Sequence, residues 1–167
     1  MIAFALHFAF FALAKNLCLA IFGHDQIQIR ISGLPYTHNT RLALISSGLD
    51  VLSEWVEEKY GFDYGVSNRL LHDDGILTGE VEIKVHYDRK AEWVRNIMDM
   101  FGVRNDEIIA IGDSAGDMEM FEMAGFSISF NSSSPRLDRI ADVVIKGNDL
   151  SEVITTLPAT IRHKSGD

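Results

Sequence analysis

Short apolar runs alternate with stretches of helical periodicity from residue 41 onward. The runs that predict buried strands are residues 41–45, 108–111 and 126–130. Residues 49–60 and 88–101 instead space their apolar side chains three and four positions apart, as amphipathic helices do, and Gly61 and Gly102 follow as caps. Strands that alternate with helices predict a parallel sheet covered on both faces. We therefore expect a Rossmann-like, three-layer α/β/α core over residues 41–167.

A small β-hairpin arm is predicted within this core. Residues 73–75 (Asp-Asp-Gly) are a hairpin turn signal, and residues 70–71 and 76–77 supply apolar positions on either side. A separate short strand is predicted just before the arm, at residues 62–67. The core is expected to close with a strand at residues 142–145 and a helix at residues 150–157.

Residues 1–40 do not follow this alternation and form an atypical N-terminal segment. Residues 1–23 are almost wholly apolar, interrupted by His7 and Lys15. A central Lys costs a membrane span about 2.5–3.5 kcal/mol, and a signal peptide normally carries positive charge before its apolar run, which is absent here. A buried helix and strand, or a displaced start of the domain, are therefore favoured over a membrane anchor. Because the sheet needs a central strand, we expect the apolar run Leu17–Phe22 to fill that position.

Composition and charge limit the classes of function. The 167 residues suffice for one domain with a core, and 47% apolar with 23% charged residues is ordinary for a globular protein. A formal net charge of −9 argues against a nucleic-acid surface, which needs clustered Lys and Arg. The single cysteine, Cys18, excludes an internal disulfide and fits a reducing compartment such as the cytoplasm. The oligomeric state cannot be inferred from the sequence.

Two carboxylates follow the apolar run at residues 108–111. Asp113 and Asp117 come at the carboxyl end of this strand, where open α/β sheets bind ligands. A helix is expected from Ala115, with Gly125 as its C-terminal cap. Carboxylates this close repel each other unless a proton or a cation lies between them, and hard oxygen ligands suit Mg²⁺.

Two other interpretations of this acidic turn were weighed. Acidic residues also cap ordinary helix N-termini, where they bind free N–H groups and favour the helix dipole, without any metal. A serine hydrolase with Ser114 as nucleophile would need an Asp-x-x-His pair, and the chain contains none. The first alternative stays open from these residues alone, and the second is set aside.

Ser46 and Lys90 are candidate phosphate ligands. Ser46 follows the apolar run at residues 42–45 and precedes Gly48, so its hydroxyl and the neighbouring N–H groups suit an anion at the edge of the sheet. Lys90 lies near the start of a helix, where the dipole disfavours a cation unless it reaches toward an anion. A helix N-cap at Ser46 and a solvated surface lysine at Lys90 are the alternatives.

Several motifs in order resemble the haloacid dehalogenase (HAD) superfamily. GDSAGD with MEMFEMAG, residues 112–125, resembles motif IV, ISSG resembles motif II and YDRKAEWV resembles motif III. VSNRLLHDDGILTGEV and SISFN resemble segments of the phosphoserine-phosphatase-like branch of that superfamily. The resemblance extends from Arg41 to Leu157, so we identify this part as a phosphoserine-phosphatase-like HAD core.

The resemblance implies a Mg²⁺-dependent phosphatase of the cytoplasm that acts on a small phosphorylated metabolite, with phosphoserine and serine biosynthesis as the branch's default. Ser46, Ser47, Lys90 and Gly116 would bind the phosphate, with Lys90 also catalytic. Asp113 would be the direct metal ligand. Asp117 would join the metal site by holding its water shell, or would orient Lys90.

The resemblance fails at the N-terminal side. The superfamily's motif I, DxDGT, carries the nucleophilic Asp at the end of the central strand, and no DxD occurs in this chain. The 45 residues before Ser46 leave no room for the branch's helical cap domain. Laying LAIFGHDQ on motif I puts Gly23 at the nucleophile and Asp25 at the acid/base position. We therefore predict a truncated or altered phosphatase with weak or no turnover, or a pseudo-phosphatase that binds a metal and a phosphorylated ligand.

The family's motif IV commonly reads GDGAND, and this chain carries Gly116 in place of the Asn. Loss of that side-chain donor is expected to weaken phosphate binding by about 0.5–1.5 kcal/mol.

Overall fold

The computed structural model describes residues 2–5, 21–22, 41–147 and 152–156, with backbone alone for 2–5, 21–22 and 154–155. The elements in chain order are β1 (Ile2–Ala5), β2 (Ile21–Phe22), β3 (Leu42–Leu49), α1 (Asp50–Tyr60), β4 (Tyr64–Asp73), β5 (Ile76–Glu82), α2 (Ala91–Phe101), β6 (Ile108–Gly112), α3 (Met118–Met123), β7 (Phe126–Phe130), α4 (Pro135–Ile140), β8 (Val143–Ile145) and α5 (Glu152–Thr156). This order confirms the predicted Rossmann-like α/β class.

The strands form two sets of four. One set has the order β1-β3-β4-β5, in which β1, β3 and β4 are parallel and β4 and β5 form an antiparallel hairpin. The other has the order β2-β6-β7-β8, in which β6, β7 and β8 are parallel. Strand β1 also lies beside β6, so the two sets meet there. We call the β1, β3–β5 side with α1 the β3 half, and the β6–β8 side with α3 and α4 the β6 half.

The hypothesis that Leu17–Phe22 is the central strand is wrong. Ile2–Ala5 takes that place, because it pairs in parallel with β3 and lies beside β6. Ile21–Phe22 does pair with β6, but in the antiparallel direction, which a strand leading into motif I cannot have. Residues 17–20 lie outside the described residues. Both runs are apolar, and the hydrophobic pattern of short runs does not reveal which of them occupies a given sheet position.

The core is centred on β3 and β6. Residues 42–45 and 108–111 are each 4% exposed or less, which is why both strands are continuous apolar runs rather than alternating ones. Val56 of α1 and Ile97 of α2 are fully buried against this layer. The predicted caps Gly61 and Gly102 both adopt the left-handed conformation, with φ of 68° and 66°. Both helices therefore end where the sequence predicts.

Several element boundaries differ from the prediction. Strand β3 continues through the Ser46–Gly48 turn to Leu49, with a register shift between Ile45 and Leu49. Helix α2 begins at Ala91 instead of residue 88. The helix after motif IV ends at Ala124 in extended conformation, so Gly125 is not its cap. A β-carbon at Gly125 would lie 2.6 Å from the Asp106 Cα, and this close packing accounts for the glycine.

Helix α4 is absent from the prediction because Ser-rich residues 131–134 indicate a loop. The Ser134 hydroxyl accepts the N–H of Leu137, and Pro135 follows at the first helical position, so these residues in fact start a helix. No helix within the described ranges is long and apolar enough to cross a membrane.

The hairpin arm is longer than predicted. Strand β4 is one continuous element of 10 residues, which pairs first with β3 and then with β5. The turn residues Asp74 and Gly75 both have positive φ, as a tight hairpin requires. Every residue of β5 is exposed. The arm therefore extends from the edge of the sheet into solvent.

Candidate active site

The turn after β6 is folded around the Asp117 carboxylate. Its Oδ2 accepts the N–H of Asp113 at 3.0 Å, and both the N–H (3.0 Å) and the hydroxyl (3.1 Å) of Ser114. Position 112 is a glycine at the end of the strand, and a β-carbon there would lie 2.6 Å from the Asp117 Cβ. Asp117 therefore fixes the direction in which the chain leaves the sheet, with Asp113 half-buried at the end of the strand.

Lys90 and Asp117 form a buried ion pair. The Lys90 Nζ lies 2.7 Å from the Asp117 Oδ1, and both side chains are 0% exposed. Lys90 precedes α2, and its carbonyl accepts the N–H groups of Trp93 and Val94. The expectation that this lysine reaches toward an anion is met by Asp117. Removing one partner of such a pair typically costs 3–5 kcal/mol, because a buried charge is left uncompensated.

The second candidate turn follows the buried part of β3. Ser46 is 3% exposed, and its hydroxyl accepts the Gly48 N–H at 3.1 Å. Ser47 is half-buried, and its carbonyl accepts a 2.8 Å hydrogen bond from the Asn68 side chain. This turn is therefore held partly from β4, which carries Asn68.

Asn68 is a site residue that the sequence reasoning missed. Its Nδ2 donates to the Ser47 carbonyl, and its Oδ1 accepts the N–H groups of Lys84 (2.9 Å) and Val85 (2.8 Å). The side chain is 6% exposed, so these three backbone groups depend on it for hydrogen bonding. An available signal was the presence of Asn, a poor strand former, at a buried strand position in VSNRL.

Residues 84–90, which we call the linking segment, connect the two turns. At its start, Lys84 and Val85 bind Asn68. At its end, Lys90 binds Asp117. Between them, Tyr87 packs against Gly116, where a β-carbon would lie 2.4 Å from the Tyr87 carbonyl oxygen and 2.8 Å from its ring. The linking segment therefore runs from the Ser47 turn to the Asp113–Asp117 turn.

These contacts assemble most of the predicted site residues. Lys90, Asp113 and Asp117 are brought together directly, and Ser46 and Ser47 are joined to them through Asn68 and the linking segment. Gly116 lies in the same turn as Asp117. Asp25, the predicted acid/base residue, lies outside the described residues.

The available ligands fit a Mg²⁺ ion whose coordination is completed by water and substrate. Within the described ranges, no group of three or more His, Cys, Asp or Glu side chains is placed to form a metal cage. Mg²⁺ is usually held by one or two carboxylates together with water and substrate phosphate, so Asp113 suffices as a protein ligand. Both oxygens of Asp117 already accept hydrogen bonds, from Lys90 and from the turn. These contacts favour the predicted orienting role of Asp117 over direct metal ligation.

A polar cleft of roughly 310 Å³ lies between α1 and β4. Its lining includes Asp50, Glu54 and Glu57 on one side and Arg69 and Lys84 on another. Burial raises the pKa of the Glu57 carboxyl above 4.5, and the nearby charge of Glu54 adds to the rise. None of the predicted phosphate or metal residues lines this cleft.

Comparison with known proteins gives the class to which this architecture belongs. Residues 32–122, more than half of the chain, match the haloacid dehalogenase-like hydrolases. The chain belongs to this family, and the resemblance of its motifs to the superfamily is confirmed.

Several relatives within the family are phosphoserine phosphatases. The chain is 38% identical over 114 residues to the phosphoserine phosphatase of Methanocaldococcus jannaschii, with 68% of this chain and 54% of the relative covered. A phosphoserine phosphatase crystallised in apo form is 36% identical, with a TM-score of 0.64 over 70% of this chain and 58% of the other. The structure of a phospho-aspartyl intermediate analogue of phosphoserine phosphatase is also 36% identical, with a TM-score of 0.63 over 70% of this chain and 56% of the other. The chain thus spans little more than half of the length of these proteins.

Proposed function

We propose that the site binds a phosphate monoester with Mg²⁺, as in a phosphoserine-phosphatase-like hydrolase, and that turnover by this chain is weak or absent. The buried Lys90–Asp117 pair carries the proposal. Among the described residues, Asp117 is the acceptor for Lys90, which leaves further N–H donors of the ammonium for a phosphate oxygen. Ser46, Ser47 and the backbone at Gly116 would bind the remaining phosphate oxygens.

The charges of the site support a divalent cation. Lys90 and Asp117 neutralise each other, so Asp113 leaves the cluster with one negative charge. A phosphate monoester dianion would bring two more negative charges into a partly buried site, where like charges repel strongly. A Mg²⁺ ion on Asp113 would offset this repulsion and polarise the phosphoryl group.

The proposed lack of turnover follows from the sequence after β1. Ala5 pairs with Ile45, the residue before Ser46, so β1 ends level with the phosphate-binding turn. The next residues are Leu6, His7 and Phe8, and the first carboxylate after β1 is Asp25. Covalent catalysis at phosphorus needs a nucleophile, and no carboxylate follows this strand directly.

Retention of Lys90, Asp113 and Asp117 without such a nucleophile favours a second candidate function. In it, the chain is a non-catalytic protein that binds a metal and a phosphorylated ligand. Both candidates predict phosphate binding that depends on Mg²⁺ and differ in turnover.

Isothermal titration calorimetry with inorganic phosphate, with and without Mg²⁺, tests the phosphate binding that both candidate functions predict. We expect binding with Mg²⁺ that falls at least tenfold in Lys90→Met and in Asp113→Asn, since each loses a charge-assisted contact. Glu122→Gln is the control, because this carboxylate of α3 is exposed and is not one of the site residues above. Equal affinity in wild type and both site variants would refute the phosphate site.

Hydrolysis of p-nitrophenyl phosphate separates the two candidates. Slow turnover that requires Mg²⁺ and is abolished by Asp113→Asn would support the hydrolase, and its absence would support the binding protein. Leu6→Asp, which places a carboxylate directly after β1, is expected to raise turnover or to trap a phosphorylated protein that mass spectrometry detects. Gly23→Asp is the matched comparison, because it tests the alignment of LAIFGHDQ with motif I.

A further inference from the structure

Tyr87 is the exposed aromatic side chain of the linking segment. It lies between the residues that bind Asn68 and the residue that binds Asp117, and it is 43% exposed. Its ring carbons approach within 2.8–2.9 Å of where a β-carbon of Gly116 would be. The ring therefore covers the backbone of the Asp113–Asp117 turn on one side and faces solvent on the other.

The packing between Tyr87 and Gly116 excludes a side chain from position 116. Its β-carbon would also lie 2.4 Å from the carbonyl oxygen of Tyr87, and a backbone atom cannot move aside as a flexible side chain can. At this place in the turn, the wall beside the phosphate-binding residues is consequently an aromatic ring of the linking segment and not a polar side chain.

Exposed apolar side chains also follow the other turn of the site. Leu49 comes directly after the Ser46–Gly48 turn and Val51 two residues later, and they are 40% and 66% exposed. Large apolar side chains at the rim of a site favour ligands that carry carbon surface, because contact removes apolar area from water on both partners.

From this arrangement we infer that Tyr87 is the residue that selects the organic group of the bound phosphate ester. The ring packs against the part of the ester that lies beyond the phosphoryl group, and it favours esters whose organic group is flat and apolar. The inference rests on the proposed phosphate site and deepens it by assigning the class of ligand. Offset or edge-on contacts between aromatic rings correspond to about 3- to 10-fold in affinity.

Calorimetry with three probes in the presence of Mg²⁺ tests the inference. The probes are inorganic phosphate, methyl phosphate and phenyl phosphate. We expect wild type to bind phenyl phosphate about 3- to 10-fold more tightly than methyl phosphate. Tyr87→Ala should remove this preference while the affinity for inorganic phosphate changes less than about twofold.

Two variants separate the contribution of the Tyr87 ring from that of its hydroxyl and from the loss of an exposed aromatic side chain elsewhere. Tyr87→Phe keeps the ring and loses the hydroxyl, so it should retain the preference for phenyl phosphate. Trp55→Ala is the matched control, because this aromatic side chain is 41% exposed on α1 and contacts Lys59 and Tyr60 instead. Thermal unfolding of each variant shows whether the fold is intact, and Tyr87→Leu replaces Tyr87→Ala if the latter does not fold.

The outcomes distinguish failure of the proposed phosphate site from failure of the role assigned to Tyr87. If wild type binds no inorganic phosphate, the proposed function fails and the inference fails with it. If phosphate binds but Tyr87→Ala keeps the phenyl preference, or loses all three ligands equally, Tyr87 has only a structural role and the inference alone is overturned.

Discussion

Asp117 and Ser46 each follow the fully buried part of a strand, yet the two turns around them are stabilised in different ways. In the β6 half, Asp117 binds Asp113 and Ser114 within its own turn and pairs with the buried Lys90. In the β3 half, Ser46 accepts a local hydrogen bond from Gly48, and the neighbouring Ser47 carbonyl is held by Asn68 from another strand. The first turn is built around an internal charge, whereas the second depends on a neutral amide outside it.

Loss of the buried Lys90–Asp117 pair is expected to have the largest effect on stability. Lys90→Met should lower the free energy of unfolding by about 3–5 kcal/mol, because Asp117 stays buried without its counterion. Urea unfolding followed by circular dichroism measures the change. Arg104→Ala is the control, since the Arg104–Asp106 pair is 62% and 69% exposed, and solvent screening leaves such a surface pair little effect on stability. A loss that matches the control would show that the β6 turn does not depend on this pair.

The double variant Lys90→Met with Asp117→Leu sharpens this test. Replacing both partners by apolar side chains removes the uncompensated charge, so part of the lost stability should return. The turn hydrogen bonds from Asp113 and Ser114 to the carboxylate remain lost, so recovery should be incomplete. A double variant less stable than Lys90→Met would contradict this expectation.

Removal of the amide that supports the β3 turn should have the next largest effect. Asn68→Ala leaves the Ser47 carbonyl and the N–H groups of Lys84 and Val85 without their partner, for an expected loss of about 2–3 kcal/mol. Asn68→Asp keeps the acceptor for both N–H groups but turns a buried charged oxygen toward the Ser47 carbonyl, so it should not recover the loss. Phosphate affinity should fall in both variants. Urea unfolding measures both losses, and an Asn68→Ala variant as stable as wild type would contradict the supporting role of the amide.

A pair of glycine variants compares the two turns directly. Gly116→Ala should cost about 1–3 kcal/mol, because its β-carbon would meet the Tyr87 carbonyl at 2.4 Å. Gly48→Ala should cost less than about 1 kcal/mol, because its β-carbon would lie 3.1 Å from the Ser46 hydroxyl, which can rotate slightly. Thermal unfolding of the two variants under one condition gives the comparison. Equal costs would mean that both turns are equally tightly packed.

The smallest expected effects concern how the stability of each half depends on pH. Burial raises the pKa of Glu57 in the β3 half above 4.5, so this carboxylate destabilises the fold once pH rises above that value. The Ser129 hydroxyl lowers the pKa of Asp138 in the β6 half below 3.8, so Asp138 stabilises the fold above that value and the gain disappears as pH falls through the lowered pKa.

The corresponding variants should therefore change stability in opposite directions. At pH 7, Glu57→Gln is expected to gain less than about 1 kcal/mol, because solvent screens this partly exposed group, and the gain should vanish toward pH 4. Asp138→Asn is expected to lose stability at pH 7 and to approach wild type below pH 3.8. Urea unfolding from pH 3 to 7 measures both, and parallel curves would contradict the assignment.

The sequence predicts the elements of the two halves better than the contacts that join them. Residues 42–45 and 108–111 are recognisable because strands buried on both faces are uniformly apolar. The helix ends at Gly61 and Gly102 are recognisable because a left-handed residue favours glycine. These signals are local, and each is complete within a few residues.

The contacts between elements could not be predicted in this way. Lys90 and Asp117 are 27 residues apart and Asn68 and Val85 are 17 apart, so no periodicity connects them. The place of Ile2–Ala5 beside β3 likewise depends on competition between two apolar runs for one position in the sheet. The motifs identify Lys90 and Asp117 as members of one site, but their mutual ion pair is a property of the folded chain.

Strand β4 has a mechanical consequence for the site. Its 10 residues run without interruption from the edge of the sheet to the tip of the hairpin, and Asn68 lies where its pairing passes from β3 to β5. The arm and the Ser47 turn are therefore connected at one point, the amide that binds the Ser47 carbonyl and the Val85 N–H. Any displacement of β4 at Asn68 would have to break these hydrogen bonds or move the Ser47 turn and the linking segment with it.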